Sequence, residues 1–503
     1  VGSELKNVTK QSSIVFIGKI LGLVFGLLFN LIAARFLGAE VYGQFTLIFT
    51  FISFFPMLAL LGLQQGLVYY LPKMTEEKNY NYRNQIISIS YIFVLLVSLL
   101  FTILLITNSE WIGSLLNGSE SDYSYIIKIL SPLIILLVLS KLTQGVFRGI
   151  KDIKPFVINQ DIIIPILKII SLTFALTLLG TTLETLVLSF YISIFIGVLY
   201  LIYKVHNKKL FSRIKIDALK EYKKVLIYSL PLMFTGFLGF ISQKTDILMI
   251  GYFLTDEEVG VYRIALQIGT LSGFILVAFN MMFAPTISSL FHRGDMKELE
   301  SMFKTITKWV VIVNLFAFSI ILLLNDEIMY LFGEEFLIGS TVLVIIACGQ
   351  LVNVGVGSSG YILIMTGYSM YGMYINILIV VINIVLNLML IPNHGISGAA
   401  VASLVSVALA NIIRLLLVYK LYRIHPYSFQ YINAIFAVLI SFVSVYFIKM
   451  VFTISYIVDL IIYVPITILL FSLVMYLFGL SNDDKFILYK IMDKIKGNKT
   501  KNN

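Results

Sequence analysis

Apolar residues come in long unbroken runs, not in the alternation of half-buried strands or the stripes of soluble helices. Runs reaching the roughly 20 residues that cross a bilayer core as a helix recur about fourteen times. They lie near 12–35, 41–70, 86–107, 126–147, 156–179, 184–204, 225–252, 260–289, 306–325, 338–366, 371–391, 399–420, 431–451 and 456–478. Barrel strands alternate polar and apolar positions, so helices are the spanning element such runs allow. The pattern predicts an all-α polytopic membrane protein with about 14 transmembrane helices. Gly349, Gly355, Gly357 and Gly360 interrupt the tenth run, and Pro56, Pro132, Pro231 and Pro285 are expected kinks.

One phrase occurs twice. The polar break "ARFLGAEVYGQF" (34–45) separates spans 1 and 2, and "YFLTDEEVGVY" (252–262) separates spans 7 and 8. Aligned without a gap, Glu40 falls on Glu257, Gly43 on Gly260 and Phe45 on Tyr262. A fainter match sets "GTTLETLVLS" (180–189), opening span 6, beside "GISGAAVASLVS" (395–406), opening span 12. An offset of six spans keeps both copies in one orientation, which is the signature of parallel repeats about an axis along the membrane normal. The chain therefore divides on paper into an N-terminal lobe of spans 1 to 6 (1–204) and a basic cytoplasmic linker (205–224). A C-terminal lobe of spans 7 to 12 (225–424), spans 13 and 14 (425–480) and a basic cytoplasmic tail (481–503) follow. Leu210, Phe211, Ile214, Leu219 and Tyr222 amid lysines and arginines predict that the linker is a helix lying in the membrane interface.

Composition agrees with this reading and orients it. The chain is 59% hydrophobic and only 13% charged, about half the charged fraction of a soluble domain. Most of the 37 lysines and arginines fall at the two ends and in alternate loops, which places both termini in the cytoplasm. The net charge of +10 is then membrane topology and a contact with anionic lipid head groups, with no call for nucleic acid. The single cysteine, Cys348, excludes an internal disulfide. The first apolar run is too long, and lacks the small-residue cleavage site, to read as a removable signal.

Four pieces in order carry a family resemblance: "GKILGLVFGLLFNLIAARFLGAEVYGQFTL" (18–47), "GVFRGIKDIKPF" (145–156), "TDILMIGYFLTDEEVGVYRIA" (245–265) and "NIVLNLMLIPNHGISGAAVASLVS" (383–406). Together they resemble the polysaccharide-biosynthesis flippases of the O-antigen-translocase type, in the multidrug/oligosaccharidyl-lipid/polysaccharide (MOP) exporter superfamily. The resemblance implies two pseudo-symmetric six-helix lobes forming a V around a central cavity, plus two extra C-terminal helices, working by alternating access. It implies transport of a polyprenyl-phosphate- or pyrophosphate-linked oligosaccharide from the cytoplasmic to the outer leaflet of the cell membrane, for surface polysaccharide synthesis. A polysaccharide polymerase or glycosyltransferases are the implied partners. It also implies basic residues of spans 1, 7 and 8 at the cavity, here Lys19, Lys244 and Arg263.

Ionisable residues inside spans are costly, so each is a candidate for function. The basic ones are Lys19, Lys168, Lys244, Arg263 and Arg414, with Lys141 near the end of span 4; the acidic ones are Asp161, Asp246 and Asp459. Lys19 and Arg414 lie within snorkelling reach of the cytoplasmic surface. Lys168 lies near the midplane, where an anion-binding role competes with an ion pair to Asp161 two turns earlier on the same face. A phosphate-linked head group taken into a low-dielectric lumen requires positive partners, and lysine suits transient, non-bidentate contact. The three aspartates are candidates for coupling to a proton or sodium gradient. Gln64, Gln65, Gln243, Asn383 and Asn387, among other amides in spans, offer hydrogen bonds to sugar hydroxyls or between helices. Gly18, Gly22 and Gly26 form a small-residue stripe that lets another helix approach, or span 1 bend.

Other chemistry is excluded or weak. No phosphate-binding Walker motif is present, so the chain does not hydrolyse ATP directly. His206, His292, His394 and His425 have no metal spacing, no cofactor is implied, and no catalytic constellation stands out. A glycan polymerase would want a long basic outer loop; only 108–125 has any length, with a sequon pattern at Asn117. The alternative to a flippase is a cation-coupled drug or metabolite antiporter, the other large branch of the superfamily. An antiporter for organic cations favours acidic and aromatic groups in its lumen.

Overall fold

The computed structural model describes residues 2–115, 120–428 and 431–478. Asn117 and the tail 481–503 lie outside them. Among the described residues every regular element is helical, as a backbone in lipid must be when water cannot satisfy it. Ten helices among the described residues are long and apolar enough to cross a membrane, or eleven with the bent pair Tyr123–Leu130 and Leu133–Gly149. Two of the ten are each two helices joined at a glycine with non-helical dihedrals. In Gly2–Ile52 the break is Gly38 (φ 81°), and in Ser369–Tyr422 it is Gly395 (φ 57°). Helix length and composition do not fix the count at 14.

The chain forms two compact units. The first comprises Val1–Ile264, Phe332–Gly339 and Asn376–Ala402; the second comprises Ala265–Leu331, Ser340–Ile375 and Ser403–Asn503. In the first unit, Gly38 frees the backbone to turn between spans 1 and 2. The helix restarts at Ala39, whose N–H donates to the Glu335 carboxylate at 2.7 Å. A carboxylate at that position satisfies an otherwise orphaned donor and complements the helix dipole.

The repeated hairpins meet each other. A Cβ added to Gly43 would land on the carbonyl oxygen of Asp256, 2.7 Å from the Gly260 nitrogen; one added to Gly260 would land on the carbonyl oxygen of Ala39, 3.1 Å from the Gly43 nitrogen. The alignment that sets Gly43 on Gly260 also sets Ala39 on Asp256. The contact is thus reciprocal, as a two-fold axis between the copies requires, and only glycine lets the backbones come this close.

Three expectations are revised. The linker is not an interfacial helix. Residues 210–215 have no regular structure, and one helix runs from Ile216 to Phe253. The side chains of span 3 take the strap's backbone groups: Asn84 Nδ2 donates to the Lys209 carbonyl (2.8 Å), while Ser88 Oγ and Gln85 Oε1 accept from the N–H groups of Ser212 (3.0 Å) and Lys215 (3.1 Å). Span 2 is broken at Ser53–Phe54 and again at Leu61–Gly62, both of which have positive φ. Of the four prolines, Pro132 sits at a bend of 40°, and Pro56 opens a short helix, whereas Pro231 and Pro285 are carried inside continuous helices.

In the second unit, Phe283, Ile287, Leu290, Leu299, Phe303, Ile362, Leu363, Val418 and Ile424 form a buried core. The last two helices, Tyr431–Val451 and Tyr456–Phe478, pack through Val445 and Tyr463 against Leu323 and Leu324. Lys449 fastens this corner, pairing with Glu327 (2.7 Å) and donating to the Leu323 carbonyl (2.7 Å).

Gly43→Ala is expected to destabilise the protein by about 1–3 kcal/mol, the cost of forcing packed elements apart. Gly26→Ala, whose Cβ would meet nothing within 4 Å, is expected to stay within about 0.5 kcal/mol of wild type. Thermal unfolding of the purified protein in detergent compares the two.

Candidate functional site

A cavity of about 420 Å³ opens in the first unit between spans 1, 2, 5, 6, 7 and 8. Four basic side chains line it, Lys19, Lys168, Lys244 and Arg263, against a single acid, Asp161.

Span 5 builds one wall. Its helix widens into a π turn at Asn159–Ile163, with Pro165 just beyond. Such turns insert an extra residue and re-aim side chains. Span 1 lies tight against it: a Cβ on Gly18 would sit 2.6 Å from Val157 Cγ1, and one on Gly22 would sit 3.3 Å from the Asp161 carbonyl oxygen. Gly18 and Gly22 therefore serve close packing, while Gly26 faces the cavity. The approach brings Lys19 Nζ to 3.0 Å from Asp161 Oδ1. The lysine side chain is 49% exposed and the aspartate 8%, and Asp161 Oδ2 is buried with no hydrogen-bond partner. A buried carboxylate with one free oxygen depends on that one cation.

The competing ion pair of Lys168 with Asp161 is not formed, because Asp161 pairs with Lys19. Lys168 Nζ lies instead 3.5 Å above the Phe190 ring and 5.5 Å from that of Phe29. Phe190 itself is fixed by edge and tilted contacts with Phe29, Phe45 and Phe49. Aromatic faces attract a cation but do not neutralise it, so its charge stays available to an anion.

Spans 7 and 8 supply the other cations. Tyr42, beside Gly43, and Arg263, three residues beyond Gly260, line the cavity together with Lys168 and Lys244. Asp246 is not in the cavity wall. The Tyr262 hydroxyl donates to its Oδ2 (2.7 Å) and Asn387 Nδ2 to its Oδ1 (2.7 Å), with Asn383 Oδ1 3.1 Å from the same amide. Asn387 thus binds the Asp246 carboxylate, and Asn383 Oδ1 accepts from the same Asn387 amide.

Two candidates belong to the second unit. Arg414 Nη1 donates to Asn411 (3.3 Å), which continues through Asn353 (3.0 Å) to Gln350 (3.3 Å). Asp459 is buried at the start of the last helix, where its Oδ1 accepts the Ile454 N–H at 3.2 Å. That is a local capping role. Sequence reasoning did not find the aromatic seat of Lys168; the phenylalanines that make it come from spans 1 and 6 and carry no pattern that links them.

The long apolar helices define a multi-pass membrane protein. A family model described as "Polysaccharide biosynthesis protein" matches residues 8–291, more than half of the chain, and the chain belongs to that family. A second model, "MatE", matches residues 231–389. Among curated relatives, "Probable low-salt glycan biosynthesis flippase Agl15" of Haloferax volcanii is 30% identical over 209 residues, 41% of this chain and 44% of that protein. The match thus spans less than half the length of that relative. Among solved structures, "Lipid II flippase MurJ, inward closed conformation" superposes with a TM-score of 0.71 at 17% identity, covering 92% of this chain and 97% of that one. An inward-facing multidrug resistance MATE family transporter of the MOP superfamily gives 0.66 at 14% identity, covering 80% and 94%. At these identities the likeness is one of fold.

Lys19→Met leaves Asp161 charged and unpaired, and is expected to lower the unfolding temperature in detergent. Adding Asp161→Asn is expected to recover most of the loss, because the buried charge is then gone. Additive losses in the double variant would show that the pair does not act as a unit.

Proposed function

We propose that this protein is a flippase that moves a polyprenyl-phosphate- or pyrophosphate-linked oligosaccharide from the cytoplasmic to the outer leaflet of the cell membrane. The observation that carries the reading is the charge of the cavity, four basic side chains to one acid. With Lys19 committed to Asp161, Lys168, Lys244 and Arg263 remain for the (pyro)phosphate. A lumen this positive repels an organic cation. It favours the head group of a lipid-linked sugar, whose desolvation it offsets. The family and the name of the Haloferax volcanii relative support the same cargo.

In this reading the two ends of the chain are cytoplasmic and the two six-span lobes alternate access around the cavity. The chain itself performs no catalysis. A polymerase or glycosyltransferases supply and consume its cargo. Arg414 belongs to the second unit and is not among the residues that line this cavity. Asp161, Asp246 and Asp459 are the candidate acids for coupling an ion gradient; Asp161 keeps a free oxygen, and Asp459 has a capping bond that a coupling role would have to break.

The second reading, a cation-coupled antiporter, draws on the MATE fold and on Asp246 held between Tyr262 and Asn387. Liposomes separate the two. Purified protein is reconstituted with a polyprenyl-pyrophosphate oligosaccharide labelled in one leaflet, and arrival in the other leaflet is followed. Wild type is expected to flip it, and Lys168→Ala to reduce the rate at least tenfold, with unchanged protein level in the membrane. Absence of flipping under any ion gradient, together with proton- or sodium-driven efflux of a cationic dye, would establish the antiporter instead.

A further inference from the structure

A second cavity, of about 360 Å³, lies in the first unit and shares Lys244 with the first. Its chemistry is different. Lys141 is joined there by Gln64, Gln65, Gln243, Ser53 and Phe240. No hydrogen bond or ion pair engages the Lys141 ammonium among the described residues. Gln64 Nε2 donates to Gln144 Oε1 at 2.6 Å, which fixes that amide against span 4.

The chamber is built, not a gap left by loose packing. The left-handed pair Leu61 and Gly62 ends one short helix, so that Gln64 and Gln65 open the next. Beside it the helices close backbone to backbone. A Cβ on Gly62 would fall on the Ser229 carbonyl oxygen, one on Gly66 on Ser229 Oγ, and one on Gly145 would lie 2.7 Å from the Gln64 carbonyl oxygen. Spans 2, 4 and 7 are zipped there, and the polar side chains face a space of defined shape.

Amides that both donate and accept, a hydroxyl and an aromatic ring are what sugar hydroxyls and a sugar's apolar face require. A phosphate site converges several cations or backbone N–H groups, and the first cavity already offers that. Two ammonium groups line this chamber, Lys141 and the shared Lys244; the unpaired Lys141, set among amides, fits a carboxylate carried on a sugar. Building on the flippase reading, we propose that this chamber is a sugar subsite that takes an acidic sugar, a hexuronate or its equivalent, and that Lys141 selects acidic over neutral oligosaccharides.

The test uses the full-length protein in detergent and two synthetic geranyl diphosphates, one carrying glucuronyl-glucose and the other glucosyl-glucose. Affinities are read by thermophoresis. Wild type is expected to bind the uronyl probe about tenfold more tightly. Lys141→Gln is expected to bring the two affinities together without weakening the neutral probe, and Lys141→Arg to keep the preference. Equal binding of both probes by wild type, or an equal loss on both in Lys141→Gln, overturns the subsite and leaves the flippase reading intact. Failure of folded wild type to bind either probe overturns the flippase reading, and the subsite with it.

Discussion

The first unit depends on two glycines that let backbone touch backbone. Gly43 and Gly260 each occupy a place where a methyl group would overlap the other hairpin's main chain. Because the contact is reciprocal, it fixes spans 1 and 2 against spans 7 and 8 in one register. Everything cationic on those spans is then placed by short chain distances. Tyr42 is adjacent to one glycine and Arg263 is one turn from the other, and both line the cavity. Lys244, on the helix leading into the second hairpin, faces the same space as Lys19 on the helix leading into the first. In a membrane the hydrophobic effect does not press helices together, so close packing of small residues must do it. A duplicated hairpin supplies that packing twice from one solution.

Charge in this interior is handled by three different means. Asp161 is offset by a lysine whose side chain is half exposed. Asp246 is offset by a hydroxyl and an amide. Lys168 rests on aromatic faces. The first two supply the partners a buried carboxylate requires, and the third leaves a cation short of one. The asymmetry matters for transport. A cation fully paired with carboxylate would have to surrender that pair to bind a phosphate, and the exchange would gain little. A cation stabilised by rings gains a strong partner when the anion arrives, yet can release it, since the rings remain.

The long apolar runs, the loop charges and the duplicated phrase made the helical class and the hairpin equivalence readable in advance, because each is a local or periodic property of the chain. The pairing of charges was not. Asp161 and Lys168 stand two turns apart, yet Asp161 pairs with Lys19 of span 1 and Lys168 rests on Phe190 of span 6, partners that no local pattern announces. The linker misled for a related reason. Its apolar and basic residues fit an amphipathic helix, but Asn84, Gln85 and Ser88, more than a hundred residues earlier, offer its backbone better partners. Asp459 was singled out as an ionisable group in a span and is a helix cap, a role set by the chain's turn at Ile454. Long-range partners decided the charges of span 5 and the linker, and a local turn decided Asp459.

The arrangement of the two cavities gives the unit a chemical direction. One is rich in cations and ringed by phenylalanines; the other is rich in amides and adds Lys141; Lys244 belongs to both. A molecule with an anionic junction and a hydroxylated chain has the same two-part character, and Lys244 lies where the two parts would join. Movement of such a molecule need not transfer every contact at once. The glycine zips at Gly62, Gly66 and Gly145 hold the amide chamber to spans 2, 4 and 7, whereas the cation chamber is walled by spans 1 and 5, joined through Gly18 and Gly22. Each chamber therefore has its own rigid seam, and the breaks in the helices fall at glycine and proline positions such as Gly38, Gly62 and Pro132. Rigid seams joined at discrete breaks let chambers shift as bodies without dissolving the packing that keeps their charges in place.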